Sequence, residues 1–146
     1  MTGDWVTPEE VAQYLQGRGP LCQRGPRPGG GHKYSAQPTV YDGRRYDSKT
    51  EARRAAELDL LVKCGEVLFW SPQPRFELGL PEIRYVADFF VIGRGCEMWV
   101  EDVKGMELKN WKRNKLLWSK YGPPYDLIVL KSKKNGWNKE IVPGKQ

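Results

Sequence analysis

A chain of 146 residues, 39% hydrophobic and 12% aromatic, carries enough apolar surface for one compact domain and is no disordered tail. Its formal net charge is +6, and after Gly105 ten lysines and arginines stand against three acids (Glu107, Asp126 and Glu140). Such a cluster suits a phosphate backbone or an anionic membrane surface, with a solvated lysine-rich face as the plainer alternative. No apolar run approaches the ~20 residues of a membrane helix, and no leader pattern opens the chain. The expectation is a soluble cytoplasmic protein with no membrane partner. Cys22, Cys64 and Cys96 are odd in number and form no C-x-x-C pair, so reduced structural thiols are expected rather than a zinc site or a disulfide framework. The single histidine, His32, sits among glycines and prolines. That excludes imidazole-based zinc hydrolases, H-N-H nucleases and Ser-His-Asp triads. Any hydrolytic chemistry must rest on carboxylates, lysine and a metal.

In chain order, Thr7-Pro8-Glu9-Glu10 predicts a helix start with a capping box, giving a short N-terminal helix within 1–16. Residues 17–38 are dense in Gly and Pro with interspersed basic side chains, a linker or arm. The compact domain is expected over 39–146. Val40-Tyr41 and Arg44 to Tyr46 flank Asp42-Gly43, the pattern of a small hairpin. Ser48-Lys49-Thr50-Glu51 is a second capping box, opening a helix that Gly65 ends. Glu57 and Asp59 on it read as a solvated face. Strands are expected at Val67 to Trp70, Ile83 to Ile92 and Met98 to Lys104, the last two joined by a turn at Gly93-Arg94-Gly95. A helix over Lys109 to Tyr121 and a strand over Tyr125 to Leu130 follow, the strand apolar enough to be buried on both faces. The order predicts an α/β sandwich around a mixed sheet.

Side chains alternate faces along a strand, so Asp102 and Lys104 share one face and Trp99, Glu101 and Val103 the other. On the neighbouring strand Asp88 is the lone acid in Tyr85-Val86-Ala87-Asp88-Phe89-Phe90-Val91-Ile92. An isolated acid there is costly to bury unless it is paired or binds a cation. Two carboxylates on adjacent strands make a hard oxygen site suited to Mg²⁺, with Mn²⁺ as a substitute. A lysine two residues on can touch water and a phosphate, completing the groups that phosphodiester hydrolysis needs. The plainer alternative is an Asp88–Lys104 salt bridge.

The set Ser48-x-x-Glu51, Tyr85-Val86-Ala87-Asp88-Phe89 and Val100-Glu101-Asp102-Val103-Lys104-Gly105 resembles the PD-(D/E)XK nucleases. Within that group it closely resembles small bacteriophage Holliday-junction resolvases and endonucleases, over roughly Lys33 to Lys131. Ala87 stands in place of the name-giving proline, and the second acid is Asp102 rather than the commoner Glu. The resemblance implies a restriction-endonuclease-like fold and a Mg²⁺-dependent endodeoxyribonuclease acting on branched DNA such as a four-way junction. It further implies a homodimer, and a host-cell cytoplasmic setting if the chain is phage-encoded. Asp88, Asp102 and Glu51 would be its metal-binding carboxylates and Lys104 its water-positioning lysine. Glu51 also has a sufficient structural role as the cap residue. Lys109, Lys112, Arg113 and Lys115 would lie along the phosphate path. Trp111 and Trp137 suit either base stacking or the core. Two alternatives stay open: an endonuclease of the same fold acting on another DNA structure, and a catalytically silent DNA-binding accessory protein.

Overall fold

A computed structural model of the chain describes residues 37–79, 82–105 and 110–146. The expected N-terminal helix and nearly all of the Gly/Pro-rich segment lie outside them. The chain divides into two compact units, Met1–Cys64 and Gly65–Gln146.

In the first unit, β1 (Thr39–Tyr41) and β2 (Arg44–Tyr46) form the expected hairpin. Its two-residue loop, Asp42-Gly43, has φ of 47° and 72°, the left-handed pair that a tight hairpin turn requires. Helix α1 (Lys49–Lys63) follows. Ser48 caps it by accepting from the Glu51 amide at 3.1 Å, and Gly65 leaves it at φ 76°. The expected solvated face is corrected here. Glu57 is buried, held at 3.0 Å by both Arg53 and Arg54, and the Tyr41 hydroxyl donates to Asp59 at 2.5 Å. Guanidiniums three and four residues before a carboxylate share its helix face, so its charge is compensated as it leaves water.

The second unit is built on a five-stranded mixed sheet in the order β3 (Val67–Pro72), β6 (Phe89–Gly93), β7 (Met98–Val103), β8 (Asp126–Lys133) and β9 (Gly136–Val142). All neighbours are antiparallel except β7 and β8, which run parallel and are joined through helix α2 (Trp111–Tyr121). Parallel strands need such a crossover. Among the described residues the chain is thus a mixed α/β protein with a central mixed sheet and two helices.

Two elements depart from the sequence expectation. The single strand over Ile83 to Ile92 is two strands. Here β5 (Arg84–Val86) pairs with β4 (Arg75–Glu77), whereas β6 joins the main sheet. The division falls at Ala87-Asp88: the Ala87 amide donates to Pro74 O at 3.1 Å and the Asp88 amide to Glu101 O at 3.1 Å. A change of backbone partner between consecutive residues bends the chain there. The second departure is β9, an edge strand that the apolar pattern does not reveal. It returns antiparallel on β8 through a two-residue loop, Lys134-Asn135.

One face of this sheet carries the core of the unit. Val100, Leu127, Val129 and Val142 pack with Trp111, Trp118, Leu78, Tyr85 and Ala87. Trp118 is fully buried, edge-on to Phe76 and Tyr85, and its Nε1 donates to Tyr125 O at 3.1 Å. This satisfied indole anchors α2 on the face that bears Val100.

Candidate active site

Strand β7 begins at exposed Met98 and ends fully buried. Its regular pairing with β6 and β8 preserves the alternation expected from sequence. Val100 faces the apolar core, and Asp102 follows it on the same side with its side chain 2% exposed. Two contacts offset the burial of that charge. Lys104 Nζ lies 2.9 Å from Oδ1, and the Tyr85 hydroxyl donates to Oδ2. Lys104 also stands 4.9 Å from the centre of the Trp111 ring, a cation–π arrangement that fixes its stem. Burial, and then the negative charge of Asp102, raise the Tyr85 phenol above its ordinary pKa, so it remains a proton donor toward the carboxylate.

Asp88 enters from the neighbouring strand. Phe89 pairs with Glu101, so Asp88 is one step on, opposite Asp102. Its Oδ2 accepts the Val103 amide at 2.6 Å. The carboxylate is therefore held beside the end of β7, within the same short stretch as Asp102 and Lys104. The lone acid of the apolar run is explained: it sits at the bend rather than inside a strand. The plainer alternative paired Lys104 with Asp88; the ion pair that Lys104 makes is with Asp102.

Glu101 behaves as alternation predicts. It turns to the opposite face, where Trp99 Nε1 donates to its Oε1 at 2.9 Å. It is also almost wholly buried, which its position next to Asp102 does not reveal.

Glu51 belongs to the first unit. Its Oε1 accepts from Ser48 Oγ at 3.0 Å and its Oε2 from the Asp47 amide at 3.2 Å, a variant of the capping box in which the carboxylate reaches the amide one residue before the N-cap. Of the basic residues expected along a phosphate path, Lys112 and Arg113 are exposed on α2. Lys115 is half-buried and already paired, 2.8 Å from Glu140 and 5.9 Å from the Trp111 ring centre. Lys109 lies outside the described residues. Trp111 is core; its buried Nε1 has no hydrogen-bond partner among the described residues.

Tyr85 is the site residue that sequence reasoning does not reach. Its hydroxyl meets a carboxylate 17 positions along the chain, and an apolar-strand tyrosine carries no local mark of that role. Replacing it with Phe is expected to lower stability by about 1–3 kcal/mol, because a buried carboxylate oxygen loses its donor. Chemical denaturation of Tyr85→Phe measures this, and a stability equal to wild type would contradict it.

Among the described residues no three His, Cys, Asp or Glu side chains gather as a metal cage. The two aspartates nevertheless fit Mg²⁺, which binds through one or two carboxylates and fills its remaining positions with waters and substrate phosphate oxygens. No described helix is long and apolar enough to cross a membrane. No curated protein and no solved structure matches the chain. A family described as "Protein of unknown function (DUF1064)" matches residues 31–136, a stretch that takes in Glu51, Asp88, Asp102 and Lys104. With most of its length matched in this way, the chain belongs to the DUF1064 family.

Proposed function

We propose that the protein is a Mg²⁺-dependent endodeoxyribonuclease of the PD-(D/E)XK type, acting on branched DNA such as a four-way junction. The observation that carries this reading is the meeting of Asp88, Asp102 and Lys104 at the end of β7. They form a carboxylate pair with an adjacent ammonium group, next to the apolar cluster that Val100, Leu127 and Val129 build on the same sheet. The chain order of helix, antiparallel strands, helix and parallel strand supports a restriction-endonuclease-like core. The resemblance of the three motifs to junction-resolving nucleases supports the branched substrate and a homodimer, in which two-fold symmetry presents two sites for two nicks.

In this reading Asp88 and Asp102 hold the ion, Tyr85 keeps the Asp102 carboxylate oriented, and Lys104 binds water and the scissile phosphate. A bound Mg²⁺ would supply Lewis-acid polarisation and lower the pKa of water. Lys112 and Arg113, exposed on α2, would meet the phosphates of a DNA arm.

Glu51 is the third carboxylate of the proposal, on the strength of the resemblance. Glu51→Gln separates its two roles, because glutamine also closes a capping box. The expected outcome is unchanged thermal stability with a loss of Mg²⁺-dependent cleavage on the order of 10²-fold. Full activity in that variant would confine Glu51 to capping. The function itself is tested on a panel of nicked, flapped, four-way and linear DNA with Mg²⁺. Cleavage of the four-way junction supports the proposal. Cleavage confined to nicks or flaps moves it to another DNA structure, and binding without cleavage makes the protein an accessory factor.

A further inference from the structure

We infer that Lys131 is a second phosphate-binding lysine of the same site, an inference that rests on the DNA-cleaving reading above. Strand β8 is paired on both sides, and on its core face Leu127 and Val129 are fully buried in the apolar cluster. The next residue on that face is Lys131. An apolar series therefore ends in a cation at the level where β7 changes from Val100 to Asp102 and Lys104.

The register fixes which cation it neighbours. Val103 pairs with Leu130, and the Lys104 amide donates to Leu130 O at 2.9 Å, carrying the parallel ladder one residue further. Lys104 and Lys131 are thus side by side on adjacent strands, about 4.8 Å apart along the sheet. On the far side of Lys131, Asn138 of β9 is its register partner. The face accordingly carries Asp102, Val129 and Glu140 in one row and Lys104, Lys131 and Asn138 in the next.

Charge explains why a second lysine is useful there. The Lys104 ammonium group is already drawn to Asp102 at 2.9 Å. A phosphodiester brings one negative charge, and its neighbours along the strand bring more. A single lysine shared between a carboxylate and a phosphate cannot neutralise a chain of phosphates. Lys131 extends the positive row by one strand, on the side away from Asp88 and Asp102. Its assigned role is binding and positioning of phosphate, not proton transfer.

The test measures affinity for a four-way junction and a linear duplex against salt concentration, with Ca²⁺ in place of Mg²⁺. Wild type is compared with Lys131→Met, which keeps the aliphatic stem, and Lys131→Arg, which keeps the charge. Loss of one phosphate contact lowers the slope of log affinity against log salt by about 0.9 on duplex arms. Lys131→Met is expected to show that loss on both DNAs, and Lys131→Arg to retain the wild-type slope. An unchanged slope in a folded Lys131→Met overturns the inference. So does a Lys131→Met that fails to fold while Lys131→Arg shows an altered slope, since the lysine would then serve the fold. Wild type is assayed for Mg²⁺-dependent cleavage in parallel. If it cleaves and the slope is insensitive to Lys131, only this inference falls. If it binds but does not cleave, the nuclease reading falls while the slope still decides Lys131. If it binds no DNA, both fall.

Discussion

Asp88→Asn is expected to lose Mg²⁺-dependent DNA cleavage by on the order of 10²-fold or more, while DNA binding stays intact or becomes tighter. Asp88 accepts the Val103 amide at 2.6 Å and stands opposite Asp102 across the β6–β7 pair. An asparagine can still accept that hydrogen bond through its amide oxygen, so the bend at residue 88 should persist. What disappears is a negative charge aimed at the site. Its loss weakens cation binding and also removes repulsion toward phosphate, which gives the opposite signs on rate and affinity. Single-turnover cleavage and a binding titration of the same folded variant check both signs. Near-wild-type nicking by Asp88→Asn would remove this residue from the site.

The second large effect is an ordering between adjacent acids. Asp102→Asn should abolish activity and Mg²⁺ binding, and Glu101→Gln should keep most of the rate. Asp102 is held by Lys104 and Tyr85 on the core face, whereas Glu101 is held by Trp99 on the other. Both carboxylates are nearly inaccessible to solvent. Each substitution therefore disturbs a buried polar contact and can shift stability by about 1 kcal/mol. Thermal melting must precede the comparison of rates. Rates and calorimetric Mg²⁺ titrations of the two variants then give the ordering. The reverse result, a dead Glu101→Gln beside a live Asp102→Asn, would mean that the functional register of β7 is shifted by one residue. Lys104 would then lose its assigned role as well.

That ordering was legible in the sequence because β7 is regular. Pairing without a bulge, to β6 over Met98–Glu101 and to β8 over Trp99–Val103, preserves strict alternation, so counting by twos places Asp102 with Lys104. The β1–β2 hairpin and the start of α1 were legible for a similar reason. Asp42-Gly43 and Ser48 to Glu51 are local devices whose geometry needs no distant partner. The division of the Ile83–Ile92 run was not legible. Apart from Arg84 and Asp88 its residues are apolar or aromatic, and only the Pro74 and Glu101 carbonyls, supplied from elsewhere in the chain, decide that β5 and β6 part company. Strand β9 escaped because Asn138, Lys139, Glu140 and Ile141 are all exposed, leaving no buried face to set a period. Asn135-Gly136 was the available turn signal. The burial of Glu57 was concealed in the same way, since its two arginine partners read equally well as surface charge.

The most direct measurement of the central claim is a gel assay of wild-type protein on an end-labelled synthetic four-way junction and a matched linear duplex, each with Mg²⁺ and with chelator. Paired nicks are expected in the junction with Mg²⁺, none with chelator, and far less product from the duplex. Intact junction at saturating protein and Mg²⁺, or equal cutting with chelator present, would contradict the claim.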